Sequence, residues 1–298
     1  MISRGFVTLA TGKDIYYEMA YNMLRSYRLH NQTYPVAIIC DRENEYTKAF
    51  DAVVILPDVK CDYRDKFRLL VDCPYDETIF IEPDCLIYRN LDHFWDLLSG
   101  ESDFTSFGWN NGSAVQWFEH AAAWEATGVT EPLETATMPL INPGYLFVRN
   151  GQVCRDIYED MNRMAENLMP HRDTEPRLFS HGRLRDDPIL CLGMKKHGCE
   201  CAAKPSEGKC MSLPSGYTFR KISLQKGELE VADKNGKVFS DCALLHFSTR
   251  RVLEDGLYSN QIAVLDRIEK GRSVTWINSR FMRGMYDLGW RVKQKFKK

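Results

Sequence analysis

Between Phe6 and Ile81 short apolar runs alternate with stretches of helical periodicity, and this alternation narrows the fold more than any other feature of the sequence. FVTLAT (Phe6 to Thr11) reads as a strand, broken by Gly12-Lys13-Asp14. The segment after it sets Met19, Met23, Leu24 and Tyr27 on one helical face. PVAIICD (Pro35 to Asp41) is apolar almost throughout, as a strand covered on both faces of a parallel sheet must be. VVILP (Val53 to Pro57) is a third strand, a helix is expected from about Asp62 to Val71, and Thr78 to Ile81 form a fourth strand. Strands and helices in alternation predict an α/β sheet flanked by helices.

Beyond that half the expected order is a helix near Asp92 to Leu98, a strand from Asp103 to Trp109, a helix from Trp117 to Trp124 and a strand from Pro139 to Gly151. A long helix follows from about Gln152 to Leu168, then a polar loop over 170–185. Asp186 or Asp187 caps a further helix to about His197, with Pro188 in its first turn. Short antiparallel strands are expected between Leu213 and Asp241, turning at Lys234-Asn235-Gly236-Lys237. Cys242 to Ser248 read as a buried strand ending near a histidine, and the last 40 residues as helical. No internal repeat and no linker divides the chain.

A formal net charge of −2 over 298 residues argues against general polyanion binding, so no nucleic acid is expected as a partner. The charge is unevenly spread: residues 272–298 carry +7 and the remainder −9. No apolar run approaches the roughly 20 residues of a membrane-spanning helix. The opening MISRGFVTLATG is too soon interrupted for a signal peptide, so a cytoplasmic protein is expected. The ten cysteines fit that expectation as free thiols, most of them small hydrophobes in apolar runs. Cys199, Cys201 and Cys210 with His197 invite a zinc reading, but C-x-C-x8-C is not the spacing of paired C-x2-C knuckles.

The chemistry centres on TIFIEPDCLIY (Thr78 to Tyr88), where Glu82 and Asp84 interrupt the most apolar segment of the chain. Ionised carboxylates are costly to bury unless they are paired or bind a metal. If the strand continues through them, positions i and i+2 share a face. Ligands of open α/β sheets bind outside the carboxyl ends of the strands. Two carboxylates there suit Mg²⁺ or Mn²⁺, ions that commonly bind substrate phosphates as well. The plainer reading is a solvated strand-to-loop turn.

The acid-x-acid pattern after an apolar strand, followed by CLIYRNLDHFW, resembles the metal-binding segment of GT-A glycosyltransferases, most closely the glycogenin-like and bacterial lipopolysaccharide enzymes of glycosyltransferase family 8. FVTLATGKDIYY is similar to that family's opening nucleotide-binding strand, INPGYLFV to its N-x-G strand, DDPIL to its D-Q-D/G-x-L helix start, and LLHF to its V-H-F segment. Lys66 lies where the family has a Lys or Arg near the donor phosphates. These segments fall in the family's order across residues 6–247.

The resemblance implies a GT-A mixed sheet flanked by helices, with a small antiparallel insertion and a helical basic C-terminal tail. It implies one catalytic domain over 1–271, with a nucleotide-binding half (1–110) and an acceptor and donor-sugar half (111–271), ahead of the tail at 272–298. The implied reaction moves a hexose from a nucleotide-sugar, in this family usually a UDP-sugar, to a saccharide or lipid-linked acceptor with retention, using Mn²⁺ or Mg²⁺. Carried over residue by residue, Glu82, Asp84 and His246 would hold the metal. Thr8, Leu9, Thr11 and Tyr16 would line the nucleoside. Lys66, with Arg68 nearby, would reach the diphosphate or donor sugar. Asn142 and Gly144 would shape the sugar pocket, and Asp186 or Asp187 would meet sugar hydroxyls near the reacting centre.

Two departures stand out: Glu82 replaces the usual Asp, and HFSTRR replaces the family's K-P-W after the histidine, leaving Arg250 or Arg251 for the phosphates. Singly, each residue also has a plain structural reading: Thr8 and Thr11 as strand residues, Tyr16 as helix packing, Lys66 as a solvated cation, Asp186 as a helix cap and His246 as a core histidine. A sugar nucleotidyltransferase would want a Gly-rich phosphate loop after the first strand, which Gly12-Lys13 alone does not provide. A non-catalytic nucleotide-sugar-binding membrane protein is the remaining alternative. Residues 279–298 interleave Phe281, Met285, Leu288, Trp290, Val292 and Phe296 with seven cations, a pattern suited either to an anionic membrane surface or to packing on the acidic body. Peripheral attachment would suit polysaccharide biosynthesis on a lipid-linked acceptor.

Overall fold

The computed structural model describes residues 2–31, 33–212, 218–233, 235–247, 256–278 and 282–285. In chain order its elements are β1 (Arg4–Ala10), α1 (Asp14–Arg28), β2 (Val36–Cys40), β3 (Ala52–Ile55), α2 (Leu69–Asp72), β4 (Glu77–Ile81), β5 (Cys85–Ile87) and α3 (His93–Leu98). There follow β6 (Phe104–Ser113), α4 (Ala121–Ala126), β7 (Thr137–Arg149), α5 (Gln152–Leu168), β8 (Phe179–Ser180), β9 (Arg183–Leu184) and α6 (Asp186–Lys196). The last are β10 (Cys210–Ser212), β11 (Thr218–Ser223), β12 (Glu228–Ala232), β13 (Val238–Phe239), β14 (Leu244–His246) and α7 (Gly256–Glu269). They form two compact units, one of residues Met1–Gly12, Tyr34–Ile81 and Asp92–Gly208, the other of Lys13–Thr33, Glu82–Leu91 and Lys209–Lys298.

The first unit holds a six-stranded sheet in the order β3-β2-β1-β4-β7-β6. β1 pairs in parallel with β2 and β4, whereas β7 runs antiparallel to β4 and β6 antiparallel to β7. The sheet is therefore mixed, as the family resemblance implies. β2 is buried at every residue, which its unbroken apolar run demands, while β3 at the edge is half exposed. Strand alternation divides the core. Val7, Phe80, Leu146 and Val148 join Ile157, Met161, Ile189 and Leu192 of α5 and α6. On neighbouring positions Phe6 and Phe147 meet Trp95 edge-on, with centroids 5.5 and 6.5 Å away.

The second unit pairs β14 with β10 in parallel and with β5 antiparallel. Its core gathers Leu86, Tyr88, Leu245, Phe247, Tyr258 and Val264. Arg25 of α1 forks to Asp266 and Glu269 of α7. β11, β12 and β13 form a small antiparallel sheet, the insertion expected from the sequence. Among the described residues no helix is long and apolar enough to cross a membrane.

Four expected elements take other forms. The helix over 62–71 is a 3-10 turn, Tyr63–Arg68, running into the short α2. Asp62 is extended and caps the Arg64 N–H, so the chain enters tightly wound. In place of a helix over 117–124 there is a 3-10 turn at Ala114–Gln116 and then α4, because the buried Glu175 carboxylate takes the N–H groups of Glu119 and His120 at 2.8 Å. The loop 170–185 contains the β8–β9 hairpin, whose turn residues His181 and Gly182 both have positive φ, as a tight hairpin turn requires. Of the last 40 residues, expected to be helical, the described ones are so only in part: α7 ends at Glu269 ahead of a positive-φ Gly271, and Thr275 to Asn278 form turns. Arg250, Arg251 and most of the basic tail lie outside the described residues.

Candidate active site

At the carboxyl end of β1 the chain is held by two buried or half-buried acids. Asp65, 2% exposed, accepts from the Thr11 hydroxyl at 2.7 Å and from the main-chain N–H of Lys60 and Cys61 at 2.7 and 2.9 Å. Asp41 accepts from the Gly12 N–H at 2.8 Å, and Arg42 donates to the Gly12 carbonyl at 2.8 Å. Gly12 sits at φ +80°, and a Cβ there would stand 3.3 Å from the Cys61 side chain, so glycine is needed for both conformation and space. Thr11 is thus fastened at the rim. Thr8 is wholly buried within β1, the position of a core residue, and Leu9 packs half-buried against the same core. Tyr16, in the second unit, is exposed on α1.

The 3-10 turn that Asp65 anchors presents Lys66 inward. Its ammonium forms a buried ion pair with Asp186, the first residue of α6, and donates to the Pro143 carbonyl at 3.4 Å. Asp186 is therefore an ion-pair partner of Lys66 inside the helix; Arg185 occupies the cap position. Pro143 is there because β7 bulges: β6 advances from Ser106 to Gly108 while β7 advances from Ile141 to Leu146. Pro143 has no N–H for the ladder, so the strand can leave it at this point. Asn142 ties the bulge by accepting from the Gly144 N–H at 3.0 Å, and Ser106 donates to the Asn142 carbonyl at 3.0 Å. Lys66, Asp186, Asn142 and Gly144, well separated in sequence, are thereby brought together.

Asp187 faces differently from Asp186. Arg185 grips it with both ends of its guanidinium, Nε to Oδ1 at 2.9 Å and Nη2 to Oδ2 at 2.6 Å, while lying 4.8 Å from the Trp117 ring centroid. Burial, and then the charge of Asp186, push the Asp187 carboxyl above its ordinary value; Arg185 and Lys66 pull it back. Arg68 does not join this group. It pairs with Asp72 one turn on, which raises its own pKa against the lowering effect of burial.

In the second unit the β5–β14 register places His246 opposite Cys85, and the Phe247 N–H donates to the Asp84 carbonyl at 2.9 Å. The His246 Nε2 consequently lies 3.0 Å from Asp84 Oδ1. That carboxylate oxygen is shielded from solvent and carries no hydrogen bond. A mixed oxygen and nitrogen pair of this kind fits a divalent cation. Glu82 departs from expectation. The strand ends at Ile81 and the Cys85 N–H turns back to the Glu82 carbonyl at 3.2 Å, so Glu82 and Asp84 flank a turn and strand alternation does not align them. Among the described residues no group of three or more His, Cys, Asp or Glu side chains is gathered for a metal, which also leaves the His197 and cysteine set without a zinc cluster. His197 instead lies 3.0 Å from Asp160.

The bifunctional glycosyltransferase WbbM, in its apo form, aligns with 89% of this chain at 11% identity and a TM-score of 0.54. The fold is that of the GT-A glycosyltransferases. This chain covers 50% of WbbM's length. The galactosyltransferase LgtC, solved with donor and acceptor sugar analogs, aligns over 83% of this chain and 87% of its own at 12% identity, with a TM-score of 0.49. Mouse xyloside xylosyltransferase 1 aligns over 83% of this chain and 98% of its own at 11% identity, with a TM-score of 0.45. No protein-family model matches the sequence, and neither does any curated protein. On the GT-A sheet the residues overlooked in sequence are Asp65, Asp41 and Arg185. Asp41 carried a signal, since it closes the apolar run of β2. Asp65 and Arg185 each stand next to a residue that drew attention for itself.

Proposed function

We propose that the protein is a metal-dependent glycosyltransferase that moves a hexose from a nucleotide-sugar, a UDP-sugar foremost, to a saccharide or glycolipid acceptor with retention at the anomeric carbon. The observation that carries this reading is the buried Lys66–Asp186 pair beneath the Asn142–Gly144 bulge of a GT-A sheet. Asp84 and His246 are the residues assigned to Mn²⁺ or Mg²⁺, with Glu82 as a further oxygen ligand from the adjoining turn. A divalent cation bound there would stabilise negative charge gathering on the departing diphosphate.

The chain's own groups do the rest. Transfer breaks the bond from the anomeric carbon to a diphosphate oxygen and makes one to the oxygen of an acceptor hydroxyl, whose proton passes to the departing diphosphate. Lys66, its ammonium fixed by Asp186 and the Pro143 carbonyl, supplies preorganised positive charge for the leaving group. Asp187 and Asn142 present oxygens to sugar hydroxyls, and negative charge nearby favours the cationic character that develops at the sugar ring. Thr11 and Leu9, towards the carboxyl end of β1, serve the nucleoside. On sequence grounds, residues 279–298 are assigned to an anionic membrane surface on the cytoplasmic side, which would suit a lipid-linked acceptor.

Titration calorimetry of UDP with and without Mn²⁺, on wild type and Asp84→Ala, tests the reading. Metal-dependent binding that is lost in the variant supports it. Silence of UDP, CDP and GDP under every divalent metal overturns it. Tight binding of UDP-sugars with neither transfer nor hydrolysis would favour the non-catalytic alternative.

A further inference from the structure

Arg185 has no role in the reading above, yet its half-exposed guanidinium is held on two sides, by the Asp187 carboxylate and by the Trp117 ring. We propose that Arg185, laid on Trp117, is a positioning residue that fixes the Asp187 carboxylate in one orientation for a hydroxyl of the donor sugar. This rests on the glycosyl-transfer reading for its substrate, but not for its physics.

The fork contact uses one lone pair on each oxygen of Asp187 and leaves the other pair of each available as an acceptor. The ring of Trp117 limits the plane of the guanidinium, and the fork in turn limits the plane of the carboxylate. A carboxylate so held can accept from two neighbouring hydroxyls at a defined angle, the demand a pyranose makes. The groups facing Asp187 are few. Asp186 is its neighbour on α6, Lys66 comes from the 3-10 turn, and Cys191 lies one turn along α6. Asp156, Asp160 and Arg163 of α5 act at the far end of α6, on Lys196 and His197. Arg185 is thus the cation that touches Asp187 directly. Burial and Asp186 both favour the protonated acid, and Arg185 opposes them.

The test uses Arg185→Met and Arg185→Lys in the full chain, with two readouts. The first needs no activity: unfolding by urea from acid to neutral pH. Without Arg185 the folded-state pKa of Asp187 moves further above the unfolded value. The variant's deficit should therefore be smallest below the unfolded pKa, where Asp187 is protonated in both states, and grow as pH rises through the raised folded value. Arg185→Lys, which keeps the charge, should shrink that growth. A deficit equal at all pH values means that Arg185 only packs on Trp117, and overturns the proposal. The second readout is turnover of a UDP-sugar with Mn²⁺. Arg185→Met should lower kcat roughly 10- to 100-fold through misplacement of the acid, with its acid limb displaced to higher pH. An unchanged kcat and pH profile in a folded Arg185→Met also overturns the proposal. If wild type neither binds nor turns over any nucleotide-sugar, the substrate reading fails, while the pH-graded stability still decides whether Arg185 controls Asp187.

Discussion

Lys66 and Asp186 stand 120 residues apart and meet where both are almost wholly buried. A buried ion pair recovers little net stability over an apolar pair, because both charges lose their hydration, but an orphaned member is expensive. Lys66→Met should therefore cost about 3–5 kcal/mol, measured by chemical denaturation, and the double variant Lys66→Met/Asp186→Leu should recover most of it. A double variant as unstable as the single one would mean that the lysine contributes through the Pro143 carbonyl and the Phe80 ring, 5.6 Å from its Nζ, more than through the acid. If the pair is kept at such risk for donor binding, the double variant should be stable and unable to bind nucleotide-sugar. The sequence marked each residue singly and gave no sign of their partnership. A lysine in Y-R-D-K-F-R looks like one more surface cation until the 3-10 turn rotates it inward.

Among the elements, those with the strongest internal periodicity were legible almost to the residue. α5 runs over Gln152–Leu168 as expected, with Cys154, Ile157, Met161, Met164, Ala165 and Leu168 on one buried stripe. Elements set by distant partners were not legible. The start of α4 depends on Glu175, some fifty residues away, and the turn at Glu82 follows from where the sheet releases the chain. The β7 bulge lies between these cases. Asn-Pro-Gly announced a break, but the extent of the bulge is fixed by β6. Gly108 lies opposite Ile141 at its foot, and a Cβ there would be 2.9 Å from Ile141 Cα, 2.7 Å from Cys201 Sγ and closer still to the Leu140 carbonyl. Backbone atoms cannot step aside as a flexible side chain can. Gly108→Ala should destabilise by about 1–3 kcal/mol. Gly100→Ala, where nothing stands within 4 Å, should stay within about 0.5 kcal/mol. Equal effects at the two sites would show that β6 yields at the bulge and that Asn142 and Gly144 are less firmly placed than their hydrogen bonds suggest.

At the scale of the whole molecule the ten thiols are the broadest probe, because they are spread through both units and all are free. Seven are buried, Cys201 and Cys210 are partly covered, and Cys61 is exposed. Reaction requires thiolate, and here access and ionisation work together. Burial pushes the thiols of Cys40, Cys201 and Cys242 up to about 11 and those of Cys73, Cys154 and Cys191 up to about 12. Even Cys61 is raised, first by partial desolvation and then by Asp65, Asp41 and Asp62, so it should react in order of access but not with unusual speed. A disulfide-exchange reagent at mildly alkaline pH should therefore modify one thiol promptly, two slowly and all ten once guanidinium unfolds the chain, with Cys61 carrying the first label in peptide mapping. Because Cys61 packs on Gly12 and its main chain hangs from Asp65, the first label also reports on the rim of β1. Nucleotide occupying that rim should slow labelling of Cys61 and leave the count after unfolding unchanged. Prompt labelling of several buried cysteines would mean that the cores open far more readily than their packing allows, and undisturbed labelling of Cys61 under saturating nucleotide would place the nucleoside elsewhere.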